Sequence, residues 1–458
     1  MRERLIGTDG IRGEANRGLT ATLAMLLGKA AGVWIRQHPA EVGNVKRPFV
    51  VVGRDTRLSG DMLEAALASG LAAMGVDVRL VGVIPTPGVS QIVLSRGAAA
   101  GVVISASHNP FGDNGIKFFG RNGKKLADSV EDEITALLQT IEQAPRPTGG
   151  NIGRIYFVAE WGYDYAGRVR EAVHTFGERP LEGLHLVMDC ANGAAYHCAP
   201  DIFSALGAKI TLLSADPDGV NINRDCGSTK TASMRAKVKE LGASAGVAFD
   251  GDADRVMLAD SEGHEINGDR MMAIIALHLK RQGKLTANSV VATIMSNVGL
   301  EKALDAEGVR LIRTKVGDRY VAEAMEKEGA IVGGEQSGHI LLPHVTPTGD
   351  GMVTALQVLA VMHETGKSLS ELASVVQDYP QRLVSFRVKN LQGWDKDPEI
   401  QAAIRAAEAR FENPIWLSVR ASGTEPLLRV MAQGTDKVVV EEVVEGLCTL
   451  LKSKLGEG

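Results

Sequence analysis

The sequence predicts three tandem α/β domains with mixed, mostly parallel sheets and a smaller C-terminal α+β domain. Three observations lead there. At 458 residues the chain exceeds one ordinary core, and at roughly 100–200 residues per domain it divides into three or four. Short β-branched runs alternate with Ala/Leu-rich segments at helical spacing, the pattern of α/β layers. The last segment then changes to an alternating pattern that marks a separate α+β unit.

The elements follow in order. Leu19 to Ile35 is apolar but broken by Lys29 and small residues, so it reads as an amphipathic or buried helix and not a membrane span. Phe49 to Val52 is a strand leading into the turn Gly53-Arg54-Asp55; Ser59 to Met74 reads as a helix and Val76 to Val83 as the next strand. Val102-Val103-Ile104 is an apolar strand. The strand-turn-helix order recurs at Leu184 to Asp189, with Gly193 and a helix from about His197 to Leu206. It recurs at Ser289 to Ile294, with Asn297 and a helix to about Glu307. The prolines and glycines of Pro145-Arg146-Pro147-Thr148-Gly149-Gly150 cannot continue a helix and mark a linker. Further breaks fall near Asp260 to Gly263 and Gln377 to Pro380, which gives expected domains 1–150, 151–259, 260–376 and 377–458. In the last, Leu383 to Val388 alternates, Pro398 to Phe411 reads as a polar helix, strands follow at Trp416 to Arg420 and Leu427 to Ala432, and a helix begins at Lys437.

Composition excludes several classes. A formal charge of -5 and a pI near 6.1 give no basic footprint for nucleic acid or an anionic membrane. The four cysteines form no CxxC pair and are too few for a disulfide scaffold, which fits reduced thiols in a cytoplasmic protein. The N-terminal Met1 to Gly7 lacks the apolar core of a signal peptide.

The most informative motif is Asp250-Gly251-Asp252-Ala253-Asp254, which closes the apolar run Ala245 to Phe249 and precedes Arg255. Hard divalent cations take carboxylate oxygens, and three carboxylates so close repel one another without a cation between them. A straight strand would separate the outer two by roughly 13 Å, at about 3.3 Å per residue, so a curled loop at the strand end is expected. A calcium-binding EF-hand loop would need Gly and Glu where Arg255 and Ser261 stand, so the residues speak against one. A polar turn with solvated acids is the alternative reading.

Other segments carry chemistry. Ser105-Ala106-Ser107-His108-Asn109-Pro110 follows a strand, where α/β proteins bind ligands, and Ser107 is placed to present its hydroxyl; simple turn capping is the alternative. No nucleophile elbow accompanies it, so no Ser-His-Asp triad is expected. Gly334-Glu335-Gln336-Ser337-Gly338-His339 offers carboxylate and hydroxyl groups suited to a sugar. Arg420-Ala421-Ser422-Gly423-Thr424-Glu425-Pro426 has the parts of a phosphate cradle, with a helix-starting turn as its rival.

Together these four segments come in the order seen in the α-D-phosphohexomutases, and the chain resembles that family from end to end. Gly7 to Gly13, Asn114 to Phe119 and Lys315 to Tyr320 look most like its branch acting on glucosamine phosphates. The resemblance implies four domains around a central cleft and a phosphoserine at Ser107. It also implies one Mg²⁺ per site, held by Asp250, Asp252, Asp254 and an oxygen of the serine phosphate. The implied reaction interconverts glucosamine 6-phosphate and glucosamine 1-phosphate through glucosamine 1,6-bisphosphate, which also serves as activator and feeds UDP-N-acetylglucosamine synthesis. By the same resemblance Arg255 stabilises charge, and Arg12, Lys117 and His339 line the region of proton transfer, with Lys117 preferred as general acid/base. Glu335 and Ser337 match sugar contacts, and Arg420, Ser422, Gly423, Thr424 and Arg429 match the second phosphate site. Gly317-Asp318 departs from the Gly-His step of relatives acting on mannose and glucose phosphates, which favours the glucosamine branch. Those relatives' activity, a phosphosugar phosphatase and a non-catalytic sugar-phosphate sensor are the alternatives. A small-molecule partner, with a monomer or homodimer, completes the expectation.

Overall fold

The computed structural model describes residues 10–43, 45–389, 391, 393–413, 416–421 and 427–456. The first unit runs β1 (Ile11–Glu14), α1 (Ala21–Gln37), β2 (Phe49–Arg54), α2 (Ser59–Ala73), β3 (Asp77–Val83), α3 (Thr86–Arg96), β4 (Ala100–Ile104), β5 (Asp113–Gly120), α4 (Asp128–Leu137) and β6 (Ile155–Phe157). Its sheet has the order β1-β5-β4-β2-β3-β6, parallel from β4 to β6 and antiparallel at β5 and β1. Val50, Val52, Val102 and Ile104 enter the apolar layer on one face, and Val51 and Val103 that on the other. With both faces covered, these strands read as unbroken apolar runs.

After α5 (Gly162–Glu171), the second unit runs β7 (His185–Asp189), α6 (Cys198–Ala205), β8 (Lys209–Leu213), α7 (Ala232–Leu241), β9 (Ala245–Phe249), β10 (Val256–Ala259) and β11 (Glu265–Ile266). The sheet order is β11-β10-β9-β7-β8, with the parallel pairs at β9-β7-β8. The third unit holds α8 (Gly268–Arg281), β12 (Ser289–Thr293), α9 (Val298–Ala306), β13 (Arg310–Thr314), α10 (Asp318–Glu328), β14 (Gly333–Gly334), β15 (Ile340–Leu341), α11 (Gly351–Thr365) and α12 (Leu369–Ala373). The fourth has β16 (Gln381–Arg387), α13 (Pro398–Glu408), β17 (Leu417–Ala421), β18 (Leu427–Gln433) and α14 (Lys437–Leu455), with an antiparallel sheet β16-β18-β17.

The strands and helices expected from sequence form, their ends shifted by a few residues at most. Two sheets run a few residues past an expected break. β6 lies beyond the Pro-Gly segment yet pairs with β3, so the first sheet extends past residue 150. The glycine turn at Asp260 to Gly263 lies inside the second sheet, where Gly263 at φ +74° lets the chain reverse from β10 into β11.

One apolar cluster runs through the first three units, from Val51 and Val103 through Leu186 and Phe249 to Val290 and Leu356. Its centre is α11, eleven of whose fifteen residues are buried and whose N-cap Asp350 accepts from the N–H groups of Met352 and Val353. The fourth unit keeps its own core of Phe386, Leu428, Val430 and Val444. Polar bonds join it to the third: Gln433 donates to the Ser296 carbonyl at 3.0 Å and accepts from the Val298 N–H at 2.9 Å. All four cysteines are free, and among the described residues no helix is long and apolar enough to cross a membrane.

Because Leu356 is fully buried in the cluster shared by three units, Leu356→Ala should cost about 2–5 kcal/mol. Urea unfolding of the two proteins measures it, and a loss under about 1 kcal/mol would mean that α11 is not the centre of a shared core.

Candidate active site

β9 and β10 form an antiparallel pair in which Phe249 faces Val256, and the aspartate motif is the loop that joins them. The loop curls as expected. Asp250 Oδ1 accepts from the Arg255 N–H at 3.1 Å, and Ala253 adopts φ +56°. Gly251 is required by a close approach: a Cβ there would stand 2.5 Å from the Ser107 carbonyl oxygen. Only glycine lets the two loops touch.

Asp250, Asp252 and Asp254 bring their ligand oxygens within 4.8 Å of one another, all buried. Oδ1 of Asp252 and Oδ1 of Asp254 have no hydrogen-bond partner in this buried setting. Buried carboxylate oxygens without a hydrogen bond are costly, and hard-oxygen donors so grouped fit a divalent cation. Lys117 Nζ lies 2.8 Å from Asp252 Oδ2 and 3.9 Å from Asp254 Oδ2, and the Thr86 hydroxyl donates to Asp252 Oδ2 at 2.7 Å. The three acids therefore differ. Burial, and then repulsion from Asp252 and Asp254, push the Asp250 carboxyl well above its ordinary range. Burial acts against Asp252 too, but the Lys117 ammonium and the Thr86 hydroxyl outweigh it and hold that carboxyl below the usual range. For Asp254, burial and Asp252 are outweighed by His339 and Lys117, again lowering it.

Ser107 follows β4, almost fully buried, and its Oγ donates to Asp250 Oδ2 at 2.6 Å. Its φ of +52° is a left-handed conformation that costs a non-glycine residue on the order of 1–3 kcal/mol. The Ser105 hydroxyl accepts the Ser107 N–H at 2.9 Å and donates to Asp55 at 2.6 Å. The neighbouring His108 is kept neutral, its pKa lowered to about 4 by burial and by Arg255 and Arg12.

A cavity of about 200 Å³ opens over these groups, lined by Arg12, Ser107, Lys117, Arg255, Glu335 and His339. His339 reaches toward Asp254 with Nδ1 at 3.5 Å and toward Asp318 with Nε2 at 3.6 Å. Burial lowers its pKa, but the two carboxylates outweigh that and raise it to about 9. Its ring lies against Gly349, where a Cβ would meet it at 2.4 Å. Asp318, first residue of α10, also lines the cavity and pairs with Lys125 at 2.7 Å. A second cavity, of about 590 Å³, shares Arg255, Val316 and Glu335 with the first and continues to Ser337, Arg420 and Arg429. Glu335 is braced there, accepting from the Gly317 N–H at 3.1 Å and the Ser337 hydroxyl at 3.2 Å. Arg420 and Arg429 stand directly opposite each other on β17 and β18, and burial followed by repulsion from Arg429 lowers the Arg420 pKa. Like charges facing across a sheet destabilise it, so the pair calls for an anion.

One continuous cleft thus receives side chains from all four units. Models of the four domains of phosphoglucomutase/phosphomannomutase match in sequence: alpha/beta/alpha domain I over residues 3–145, domain II over 164–263, domain III over 267–379 and the C-terminal domain over 383–450. The chain belongs to this family. Within it, the chain sides with the phosphoglucosamine mutases. That of Desulforamulus reducens is 48% identical over 98% of this chain and 99% of its own, and that of Moorella thermoacetica is 49% identical over 97% and 98%. Among solved structures, a phosphoglucomutase/phosphomannomutase family protein from Burkholderia thailandensis superposes with a TM-score of 0.79 at 26% identity, covering 100% of this chain and 99% of the other. An Aspergillus fumigatus N-acetylphosphoglucosamine mutase in complex with GlcNAc-6P and magnesium shares the fold, with a TM-score of 0.65 at 18% identity over 98% and 96%.

The site residues expected from sequence line the cleft or, for Asp250 and Asp252, lie buried in the triad beside Asp254, apart from Ser422, Gly423 and Thr424, which lie outside the described residues. Sequence reasoning passed over Thr86, Lys125, Asp55 and Arg57. Asp55 and Arg57 follow a β-strand at the end where ligands bind, and that position was the available signal.

Manganese titration followed by electron paramagnetic resonance should show one site on the protein, weakened about tenfold or more by Asp252→Asn. Equal binding in the variant would place the cation elsewhere.

Proposed function

We propose that the chain is a phosphotransferring mutase that interconverts glucosamine 6-phosphate and glucosamine 1-phosphate, with Ser107 as the phosphoryl carrier. The observation that carries this reading is the Ser107 hydroxyl bonded to a buried aspartate triad, in a cleft continuous with the opposed arginines of the fourth unit. A hydrolase needs the first half of that arrangement alone. A second anion site matters to an enzyme that must keep a bisphosphate while it turns end for end.

Asp250, Asp252 and Asp254, with an oxygen of the serine phosphate, would hold Mg²⁺, which neutralises charge on the phosphoryl group when bound. In the first half-reaction the P–O bond to Ser107 breaks as one forms to the free sugar hydroxyl. That hydroxyl loses a proton and the serine oxygen gains one. Lys117, held within reach of the triad, is the group we assign to carry the proton. His339, with a pKa near 9, is protonated at neutral pH and, like Arg255 and Arg12, supplies positive charge to the cavity. The bisphosphate then reorients, and its other phosphoryl group returns to Ser107. Glu335 and Ser337 contact sugar hydroxyls in either orientation, while Arg420 and Arg429 hold the phosphate that is not reacting. The glucosamine preference rests on relatives 48% and 49% identical over nearly the whole chain. Asp318 offers a carboxylate in the same cavity, already engaged by Lys125 and His339.

Two outcomes are expected. Ser107→Ala should lose at least about a thousandfold in turnover of glucosamine 6-phosphate, assayed with a trace of the 1,6-bisphosphate, and keep a native circular-dichroism spectrum. Full activity would move the carrier to another residue, and phosphate release by the wild type without glucosamine 1-phosphate would make it a phosphatase. Arg429→Ala should raise KM for glucosamine 6-phosphate about tenfold or more, the equivalent of about 1.4 kcal/mol of binding, and lower kcat less. An unchanged KM would put the second phosphate elsewhere.

A further inference from the structure

Arg57 has no exposed side-chain surface, yet every group around it is an acceptor. Its Nε donates to Asp55 Oδ2 at 2.8 Å. Nη1 donates to the carbonyls of Pro110 and, at 3.0 Å, Asp113. Nη2 donates to the carbonyls of Ser107 at 3.0 Å and Asn109 at 2.8 Å. A buried guanidinium spent on four backbone carbonyls of one loop fixes the path of that loop. The same two carbonyls, Ser107 and Asn109, each accept a second bond from the second unit, where Asn223 Nδ2 donates at 2.8 Å and 3.0 Å. Asn223 sits at φ +57° in a loop that meets the first unit again where the Leu58 N–H donates to the Gly219 carbonyl at 2.9 Å.

We propose that Arg57 and Asn223 are positioning residues that clamp the Ser107–Asn109 backbone from two domains and hold it in the left-handed bend that aims Ser107 Oγ at the aspartate triad. Both carbonyls have two lone pairs, and each is satisfied once from each domain. Neither residue touches the cavity over Ser107, so the effect on catalysis passes through the backbone. Loss of one donor releases the carbonyls on one side, and the bend, held against its own strain, relaxes. Phosphoryl transfer needs in-line alignment, and a displacement of about 1 Å costs on the order of a hundredfold in rate. Sugar and distal phosphate contacts come from the third and fourth units and stay in place. The clamp also makes the reactive geometry depend on how the loop around Asn223 seats against the first unit.

This inference rests on Ser107 as the phosphoryl carrier. Asn223→Asp and Asn223→Gly separate the amide donor from the backbone conformation, since aspartate tolerates positive φ, glycine adopts it freely and neither donates from its side chain at neutral pH. Steady-state kinetics on glucosamine 6-phosphate should show kcat lower by about tenfold to a hundredfold in both variants, with KM within about threefold of wild type. Phosphorylation of Ser107 by ³²P-labelled glucosamine 1,6-bisphosphate should slow by the same factor, while the melting temperature stays within a few degrees. A kcat within twofold of wild type in either variant, or a loss that tracks melting temperature, overturns the clamp. Ser107→Ala run alongside distinguishes the two claims: if it retains activity, the carrier assignment fails, whereas an inactive Ser107→Ala beside fully active Asn223 variants rejects the clamp alone.

Discussion

Three carboxylates gathered within 4.8 Å inside a protein repel one another and have lost the water that would screen them. Most of the geometry of the cleft answers that fact. Lys117 and Thr86 settle on Asp252, His339 leans on Asp254, and the hydroxyl of Ser107 donates to Asp250. These partners come from the first and third units, so with the second unit's triad three domains meet in one cleft. Two inner carboxylate oxygens stay without a hydrogen bond, which is the arrangement a bound cation completes.

The opposed arginines pose the complementary problem at the other end. Arg420 and Arg429 face each other across β17 and β18, and an anion in the cavity beside them would relieve their repulsion. An acidic pole suited to a cation and a basic pole suited to an anion, joined past Arg255 and Glu335, fit the proposed substrate with phosphate at alternating ends. The polar bonds between Gln433 and the third unit, in place of a shared apolar core, leave the basic pole on a unit with its own core.

Much of this was legible in the sequence because the informative signals are local. The apolar run into Asp250, the spacing of the aspartates and the polar turns after strands each report chemistry within a few residues. The two sheet extensions were hidden for a related reason: a proline and glycine linker and a glycine turn look alike whether the chain leaves a sheet or returns to it, and only pairing at a distance decides. Arg57 and Asn223 were missed because their acceptors are backbone carbonyls, which every sequence has. The need for Gly251 was equally invisible, since the reason for it is the Ser107 carbonyl far upstream. Asp318 stood out in the sequence as a departure from the Gly-His step, and its pairing with Lys125 is likewise a contact across units.

The central claim is that Ser107 and the aspartate loop are one site, each completing the other. Titration of Mg²⁺ into fully phosphorylated and fully dephosphorylated protein, followed by calorimetry, tests it most directly. The phosphate adds about -1.5 to -2 charges beside the triad and an oxygen ligand, so the phosphorylated form should bind at least about tenfold more tightly. Equal affinity in the two forms would contradict a shared site.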